Sequence, residues 1–238
     1  MKINMLDCTL RDGGYNNEWN FGFENIINIF DRIISSKVEF LEIGFLNDKY
    51  SNSLNHTIQP NVESFEKILK YSKKNNTKLL AMIDYGTFDI SNLKAESKSF
   101  LDGIRVIFKK ENRAEAFEYI SKIKNLGYIV FAQAVSITSY SEIELADFFK
   151  LANNVLPHAV SIVDTYGLLH SNDLLKLADL FNEKLDPKIT LGFHAHNNFQ
   201  LAYSNSIAFI ESKYNRDVIV DGTLYGFGKS AGNAPSEL

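Results

Sequence analysis

The stretch Ile3-Asn4-Met5-Leu6-Asp7-Cys8-Thr9-Leu10 is a short β-rich run, and an amphipathic stretch at residues 24–35 follows it. The same pairing of an apolar run with a helical pattern repeats along the chain. Apolar residues spaced three and four apart predict helices, and short runs rich in branched and aromatic residues predict strands. The predicted strands are residues 3–10, 38–45, 78–83, 103–108, 128–134, 159–163, 189–193 and 218–221. The predicted helices are residues 24–35, 62–74, 113–126, 142–155, 172–185 and 199–211, with the weakest near 91–97.

Eight strands that alternate with crossover helices predict a parallel sheet, and eight repeats favour a closed (β/α)₈ TIM barrel over an open doubly wound sheet. The chain has 238 residues, of which 45% are hydrophobic. This length suits one barrel, so we expect a single catalytic domain over residues 1–238. Residues 233–238 look like the start of an eighth helix that is incomplete here. We therefore expect the chain to be a portion of a longer protein.

Composition argues against a nucleic-acid partner and a membrane-spanning segment, and it bears on the cellular compartment. The net charge is −4 and the pI is about 5.8, so no basic surface is expected to attract nucleic acid. No apolar run approaches the roughly 20 residues that cross a membrane. The single cysteine, Cys8, cannot form an internal disulfide and alternates with apolar neighbours, which indicates a core position. The first motif begins too early for a signal peptide, so we expect a cytoplasmic protein.

Two separated motifs suggest one metal site. Asp12 follows the first predicted strand, and His194 and His196 close the seventh. Residues at i and i+2 of a strand point to the same face, so the two imidazoles can converge on one cation. Nitrogen ligands with a carboxylate suit Mn²⁺, Mg²⁺, Zn²⁺ or Co²⁺, and a site with few protein ligands leaves positions open for substrate. This pattern predicts a catalytic centre, because carboxyl ends of barrel strands carry the chemistry.

Further candidates lie at the same end of the predicted barrel. Arg11 can hold the carboxylate or enolate oxygen of a keto acid in a bidentate fork, although an Arg–Asp pair alone is usually a plain ion pair. Glu42 lies in an apolar run and needs a partner, for which Arg11 is available. Thr165 closes the sixth strand and is expected to line the pocket, unless it serves only the turn. Gly228 belongs to a glycine-rich loop that can approach a ligand closely.

The motifs Thr9-Leu10-Arg11-Asp12-Gly13, His194-Ala195-His196 and Ala231-Gly232-Asn233 occur in order. Together they make the chain resemble the metal-dependent pyruvate-enolate TIM barrels of the HMG-CoA lyase-like superfamily. The resemblance implies that Asp12, His194 and His196 bind a divalent ion, most simply Mn²⁺ or Mg²⁺, and that Arg11 stabilises the enolate. It also implies that Asn233 is a further ligand in some branches; by itself, Asn233 would be interpreted as a helix cap.

Within that superfamily, the chain looks most like the 4-hydroxy-2-oxovalerate aldolases. The condensing synthases typically follow Arg-Asp-Gly with Glu-Gln, where this chain has Gly14 and Tyr15. The CoA lyases carry a cysteine in the glycine loop, and this loop has none. The aldolases carry a His as base where this chain has Tyr15, which is a poor base at neutral pH unless a cation lowers its pKa. Their aldehyde dehydrogenase docking region is not visible in this sequence.

The resulting hypothesis is a class II aldolase that cleaves or forms the C–C bond of a 4-hydroxy-2-oxo acid. Cleavage gives a pyruvate-type acid and an aldehyde. Arg11, Tyr15 and Glu42 would be catalytic, and Thr165 and Gly228 would contact substrate. One alternative is a Claisen-type condensation of an acyl-CoA with a 2-oxo acid. Another is a barrel that binds its ligand without turnover. A homodimer is compatible with each of these functions.

Overall fold

The structure is a computed structural model, and it describes residues 1–70, 72 and 75–238. The strands are β1 (Ile3–Asp7), β2 (Phe40–Leu46), β3 (Ile58–Gln59), β4 (Lys78–Asp84), β5 (Gly103–Phe108), β6 (Ile129–Ala134), β7 (Ala159–Asp164), β8 (Thr190–Ala195) and β9 (Val218–Gly222). The helices are α1 (Thr9–Asp12), α2 (Phe23–Ser36), α3 (Val62–Leu69), α4 (Arg113–Asn125), α5 (Glu142–Val155), α6 (Ser171–Lys184) and α7 (Ala202–Glu211). Among these residues, no helix has the length and apolar character needed to cross a membrane.

Eight strands form a closed parallel barrel, as predicted. The barrel strands pair in chain order, from β2 to β4 and onward to β9. Strand β1 pairs with both β9 and β2, which closes the sheet. The two-residue strand β3 pairs with the end of β2. The fold is that of a TIM barrel, and its parallel strands place all their carboxyl ends on one rim.

Alternation along the strands sorts the side chains of the barrel into layers. Outward-facing apolar residues pack against the helices in the main core. Inside, the lower layer is apolar and includes Leu6, Phe40, Leu80 and Phe131. Two residues further along the strands, the interior layer becomes polar and charged. It contains Glu42, Arg105, Gln133, Ser161, His194 and Asp221, all of which are buried.

The first strand is shorter than predicted. β1 ends at Asp7, and Thr9–Asp12 forms the helical turn α1. The backbone amides of Arg11 and Asp12 donate to the carbonyl of Cys8 at 3.1 and 2.8 Å. Arg11 and Asp12 therefore reach the rim from a turn that folds back over the barrel, and the prediction of a strand through residue 10 was wrong.

Two helix predictions also differ from the structure. The weak helix near residues 91–97 is replaced by 3₁₀ turns at Ile90–Asn92 and Glu96–Lys98. The predicted helix at 62–74 begins correctly and its described part ends at Leu69; its predicted end lies outside the described residues. The remaining boundaries agree within three residues.

Residues 233–238 do not begin a helix. Asn233 forms an isolated bridge with His196, and Pro235 forms one with Thr223. The amide of Thr223 donates to Ala234 at 3.0 Å. These backbone bonds hold the segment extended across the rim, which overrides the favourable position of the proline.

The buried carboxylate of Asp7 contacts this extended segment and makes the stability of the fold depend on pH. Burial raises the pKa of Asp7 to about 6, although its carboxylate accepts from Thr9 N at 2.9 Å and Ser236 Oγ at 3.0 Å. A raised pKa means that the folded state loses stability as pH rises from about 4 to 6. We expect Asp7→Asn to stabilise the protein by about 1–3 kcal/mol at pH 7.5 and by less at pH 5, measured by urea unfolding.

The exposed Asp31→Asn variant on α2 serves as the control and should change neither value. An equal effect of Asp7→Asn at both pH values would show that ionisation of Asp7 does not destabilise the fold.

Candidate active site

The predicted metal ligands meet at the carboxyl rim of the barrel. Asp12 lies in α1, His194 in β8, His196 immediately after β8, and Asn233 in the loop after β9. His194 Nε2 lies 3.0 Å from Asp12 Oδ2, and the imidazole centroids of His194 and His196 lie 5.0 Å apart. Asn233 Nδ2 lies 3.3 Å from Asp12 Oδ2 and 3.4 Å from His194 Nε2. Four side chains from three separate segments thus converge on one point.

The protonation states of this cluster follow from its surroundings. Burial opposes ionisation of Asp12, but the Arg11 guanidinium and the His194 ring hold the pKa of that carboxyl well below its usual range. Burial likewise opposes a charged His194, yet hydrogen bonds to Asp12 and Asp221 raise its pKa above the ordinary value. Burial and the neighbouring His194 lower the pKa of His196 to about 4. At neutral pH, Asp12 is therefore a carboxylate and His196 is neutral.

Unpartnered polar atoms indicate that the cluster fits a cation. His196 Nδ1 and Asn233 Oδ1 are buried and lack a hydrogen-bond partner among the described residues. Buried polar groups are normally satisfied, so such atoms call for an explanation, and a bound ion provides one. Asn233 turns its amide nitrogen to the cluster, where it also donates to the carbonyl of Ala195 at 3.1 Å. Its oxygen would face an ion only after the amide rotates and gives up that hydrogen bond. A carboxylate, two imidazoles and an amide oxygen are a suitable donor set for a divalent ion.

Cys8 lies close to the cluster but is a weaker candidate ligand. Ligand atoms of Cys8, Asp12 and His194 all lie within 4.8 Å of one another. The Cys8 thiol donates to the carbonyl of Gly222 at 3.4 Å, and burial raises its pKa. Because a thiolate is the form that binds metal, the thiol remains a core group, as its sequence pattern predicts.

Arg11 lies beside the cluster and faces a cavity. Its Nε donates to Glu42 Oε2 at 2.7 Å, and its Nη1 lies 2.9 Å from Asp12 Oδ2. Its Nη2 makes no hydrogen bond to a described residue. The cavity of about 60 Å³ is lined by Arg11, Asp12, Tyr15, Met82, Ile107, Gln133, Val135, Val163, Thr165, His194, His196 and Lys229.

A larger cavity of about 410 Å³ adjoins this inner cavity and shares several of its walls. The shared residues are Tyr15, Ile107, Val135, Thr165 and Lys229. A small inner chamber next to the donor cluster and a wider outer chamber can accommodate two reactants in sequence.

Three further sequence candidates have distinct positions. Thr165 lines both cavities, and its hydroxyl accepts from Ser136 N at 2.7 Å. Gly228 is buried under Asn233, and a Cβ atom at Gly228 would lie 1.7 Å from Asn233 Oδ1. Tyr15 lies at the rim, with Lys229 Nζ 5.1 Å from the centroid of its ring. Burial raises the pKa of Tyr15, so the phenol stays protonated.

Sequence reasoning missed Arg105, Asp221 and Lys229. Arg105 and Asp221 are charged residues within apolar strands, the same signal that singled out Glu42. Asp221 Oδ2 lies 2.8 Å from His194 Nδ1. The Lys229 amide donates to Asp12 Oδ1 at 3.1 Å, a contact that no sequence spacing indicates.

Comparison with known families identifies the family to which the chain belongs. A sequence model of the HMGL-like family matches residues 2–238. The chain belongs to the HMGL-like family. The HMGL-like family is divalent-metal dependent, which is consistent with the donor cluster.

The chain is similar to several characterised proteins and solved structures. A 4-hydroxy-2-oxovalerate aldolase of Pseudoalteromonas translucida (strain TAC 125) is 23% identical over 237 residues, which cover 100% of this chain and 68% of the relative. An oxaloacetate decarboxylase of Mycobacterium tuberculosis (strain ATCC 25618 / H37Rv) is 23% identical, with 98% and 67% covered. The HMG-CoA lyase of Bacillus subtilis has a similar fold, with a TM-score of 0.78 at 13% identity and coverage of 99% and 83%. The relatives indicate a lyase of the HMGL-like superfamily.

Proposed function

We propose that this protein is a metal-dependent aldolase that cleaves or forms the C–C bond of a 4-hydroxy-2-oxo acid. The observation that carries the proposal is that Arg11, Asp12, His194 and His196 line the same small cavity. Asn233 lies behind them, with its Nδ2 3.3 Å from Asp12 Oδ2. The names of the aldolase relatives support the same reaction class.

The donor cluster would hold a divalent ion through Asp12, His194 and His196, with Asn233 as a further ligand. When bound, the ion supplies Lewis-acid polarisation of the 2-oxo group. Asp221 accepts a hydrogen bond from His194 Nδ1 and so leaves the lone pair of Nε2 available to the ion. The metal identity remains part of the proposal, with Mn²⁺ or Mg²⁺ favoured over Zn²⁺ or Co²⁺.

In the cleavage direction, a base near Tyr15 would take the proton of the 4-hydroxyl, and the C3–C4 bond would break to release an aldehyde. The bonding electrons pass to C3 and the 2-oxo oxygen, which gives the enolate of pyruvate or a close relative. Arg11 would stabilise the charge on this oxygen, because its Nη2 is uncommitted while Nε and Nη1 are fixed by Glu42 and Asp12. Protonation of C3 then completes the oxo acid.

Tyr15 would act at the 4-oxygen of the substrate. Its ring lies where the inner and outer cavities meet. Since burial raises its pKa, Tyr15 is suited to donate a hydrogen bond to this oxygen, and its use as a base would require the charge of Lys229 or of the bound ion. Thr165 would shape the walls, with the 2-oxo acid in the inner cavity and the aldehyde part in the outer one. Gly228, predicted to contact substrate, lines neither cavity and lies against Asn233 instead.

Gly228 offers a selective test of Asn233. In Gly228→Ala, the new Cβ meets only the end of the Asn233 side chain at close range, so that side chain should move while the backbone stays in place. We expect Mn²⁺ affinity, measured by calorimetry, to fall by about tenfold, with little change in Tm. Ser230→Ala, at an exposed position of the same loop, is the control. Unchanged affinity in Gly228→Ala would exclude Asn233 as a ligand.

A second candidate reaction is decarboxylation of oxaloacetate, favoured by the decarboxylase relative. Loss of CO₂ from a 3-carboxylated 2-oxo acid gives the same enolate, so the same cavity would serve. Here the breaking bond joins C3 to the carboxylate, and no 4-hydroxyl proton is removed.

The deciding experiment follows the methyl signal of pyruvate by proton NMR in D₂O, with added Mn²⁺ or with chelator. The spectra are recorded after Mn²⁺ has been removed on a chelating resin, because the ion itself broadens the signal. Loss of the methyl signal only in the sample that was incubated with Mn²⁺ is the expected result and would establish enolate formation. Addition of 4-hydroxy-2-oxovalerate or oxaloacetate to the same samples then separates the reactions by the release of aldehyde or CO₂. Absence of both exchange and cleavage with Mn²⁺ would contradict the proposed function.

A further inference from the structure

Six buried side chains form a closed ring of charge-assisted contacts inside the barrel. Arg11 Nε and Arg105 Nη1 both donate to Glu42 Oε2, at 2.7 and 3.0 Å. Arg105 Nη2 donates to Asp221 Oδ2, which also lies 2.8 Å from His194 Nδ1. His194 Nε2 and Arg11 Nη1 then meet at Asp12 Oδ2, at 3.0 and 2.9 Å. We refer to these residues as the buried charge ring: Arg11, Glu42, Arg105, Asp221, His194 and Asp12.

Arg105 is one of the ring members that lie away from the inner cavity, together with Glu42 and Asp221. Its side chain is 0% exposed, and it does not line the inner cavity. Its guanidinium lies 5.8 Å from the centroid of the Phe131 ring in the apolar layer below. Arg105 therefore touches neither the cavity nor the proposed ligand atoms, and any effect on catalysis must pass through other residues.

A charged layer is a costly way to fill this part of the barrel. Well-packed apolar residues in place of buried ion pairs are often as stable or more stable. The lower layer of the same barrel, with Leu6, Phe40 and Leu80, is filled in that apolar manner. The presence of Arg105 thus indicates a requirement other than stability.

We propose that Arg105 is a positioning residue that orients Arg11 and His194 together, through Glu42 and Asp221. This inference rests on the proposed function. Asp221, held by Arg105, fixes the His194 ring so that Nε2 points to Asp12. Glu42, held by the same guanidinium, fixes Arg11 Nε. This contact directs the remaining nitrogens of the Arg11 guanidinium toward the cavity. A single planar guanidinium, with donors in a fixed geometry, can set both contacts at once.

The test uses Arg105→Met, Asp221→Asn and the double variant, which removes one positive and one negative charge. We expect each single change to weaken Mn²⁺ binding by about 10- to 100-fold and to lower kcat for pyruvate exchange, with KM changed only a few-fold. Because Arg105 acts on His194 only through Asp221, the double variant should bind Mn²⁺ no more weakly than Arg105→Met does. The double variant also tests the proposal if Arg105→Met alone fails to fold, since it leaves no unpaired charge at this contact.

A second readout is independent of metal and turnover. The ring nitrogens of His194, observed by ¹⁵N NMR on labelled protein without added metal, should shift in Arg105→Met or the double variant, whereas those of the exposed His170 should not. Arg216→Lys alters another buried arginine, which binds Asn182 and backbone carbonyls far from the ring, and is the matched control. It should leave the His194 signals and Mn²⁺ affinity unchanged.

The outcomes separate this inference from the proposed function. Folded Arg105 variants with wild-type Mn²⁺ affinity, exchange rate and His194 signals would overturn the positioning role. Strictly additive losses in the double variant would also overturn it. If the wild-type protein neither binds Mn²⁺ nor exchanges pyruvate, the proposed function fails, and the His194 signals still decide whether Arg105 orients that ring.

Discussion

Asp12→Asn should abolish metal-dependent turnover, with a loss of at least about 10³-fold in kcat/KM for cleavage of 4-hydroxy-2-oxovalerate. The Asp12 carboxylate is fully buried and is the point where Arg11, His194 and Asn233 meet. An amide has the same shape but lacks the charge that a divalent ion and Arg11 both require. Mn²⁺ affinity by calorimetry should fall in parallel, because the same oxygen serves both contacts.

His194→Ala should have a comparable effect, since it removes the ligand that Asp221 orients. The matched controls are Asp31→Asn on the exposed face of α2 and His170→Ala, at an exposed position before α6. Both controls should retain wild-type rates. Undiminished activity and Mn²⁺ binding in Asp12→Asn or His194→Ala would mean that the metal site lies elsewhere.

The second large effect is expected for Arg11→Lys. A lysine can reach either Glu42 or Asp12, but a point charge cannot hold both and still present a donor to the enolate oxygen. We expect kcat for pyruvate exchange to fall by about 10²- to 10³-fold, while Mn²⁺ affinity changes less than about fivefold. Steady-state kinetics and calorimetry on the same preparation measure the two quantities.

Arg216→Lys is the control for this substitution, because Arg216 is equally buried but ties α6 to the start of β8 through carbonyl contacts. It should lower Tm and leave kcat unchanged. A larger loss of Mn²⁺ affinity than of kcat in Arg11→Lys would instead assign Arg11 to the metal site.

Much of the barrel could be predicted because its strands are buried on both faces. Apolar runs such as Gly103–Phe108 and helices such as Glu142–Val155 carry enough local signal to fix their bounds. The 3₁₀ turns at Ile90–Asn92 and Glu96–Lys98 and the extended residues 233–238 could not be predicted in this way. Their conformations depend on contacts with distant segments, such as the bond between Thr223 N and Ala234 O.

The candidate site shows the same division. His194 and His196 could be paired as candidates because residues two apart on a strand point to the same face. Asp12 could be singled out only as part of the Arg11-Asp12 motif, because it lies in a helical turn. Arg105 and Asp221 could be recognised only as charges in apolar strands, and their partners could not be assigned. Arg105 and Asp221 are 116 residues apart in sequence and meet only because β5 and β9 both turn these side chains into the barrel.

The sequence by itself determined most of the repeat of strands and helices and the family motifs, because these depend on periodicity and side-chain chemistry. Only the tertiary structure decided that α1 folds Arg11 and Asp12 back over the rim and that Asn233 bridges to His196. The tertiary structure also brings the six residues of the buried charge ring into contact. Barrel closure brings β1, β2, β5, β8 and β9 around one interior, and that proximity is a property of the closed sheet rather than of any segment.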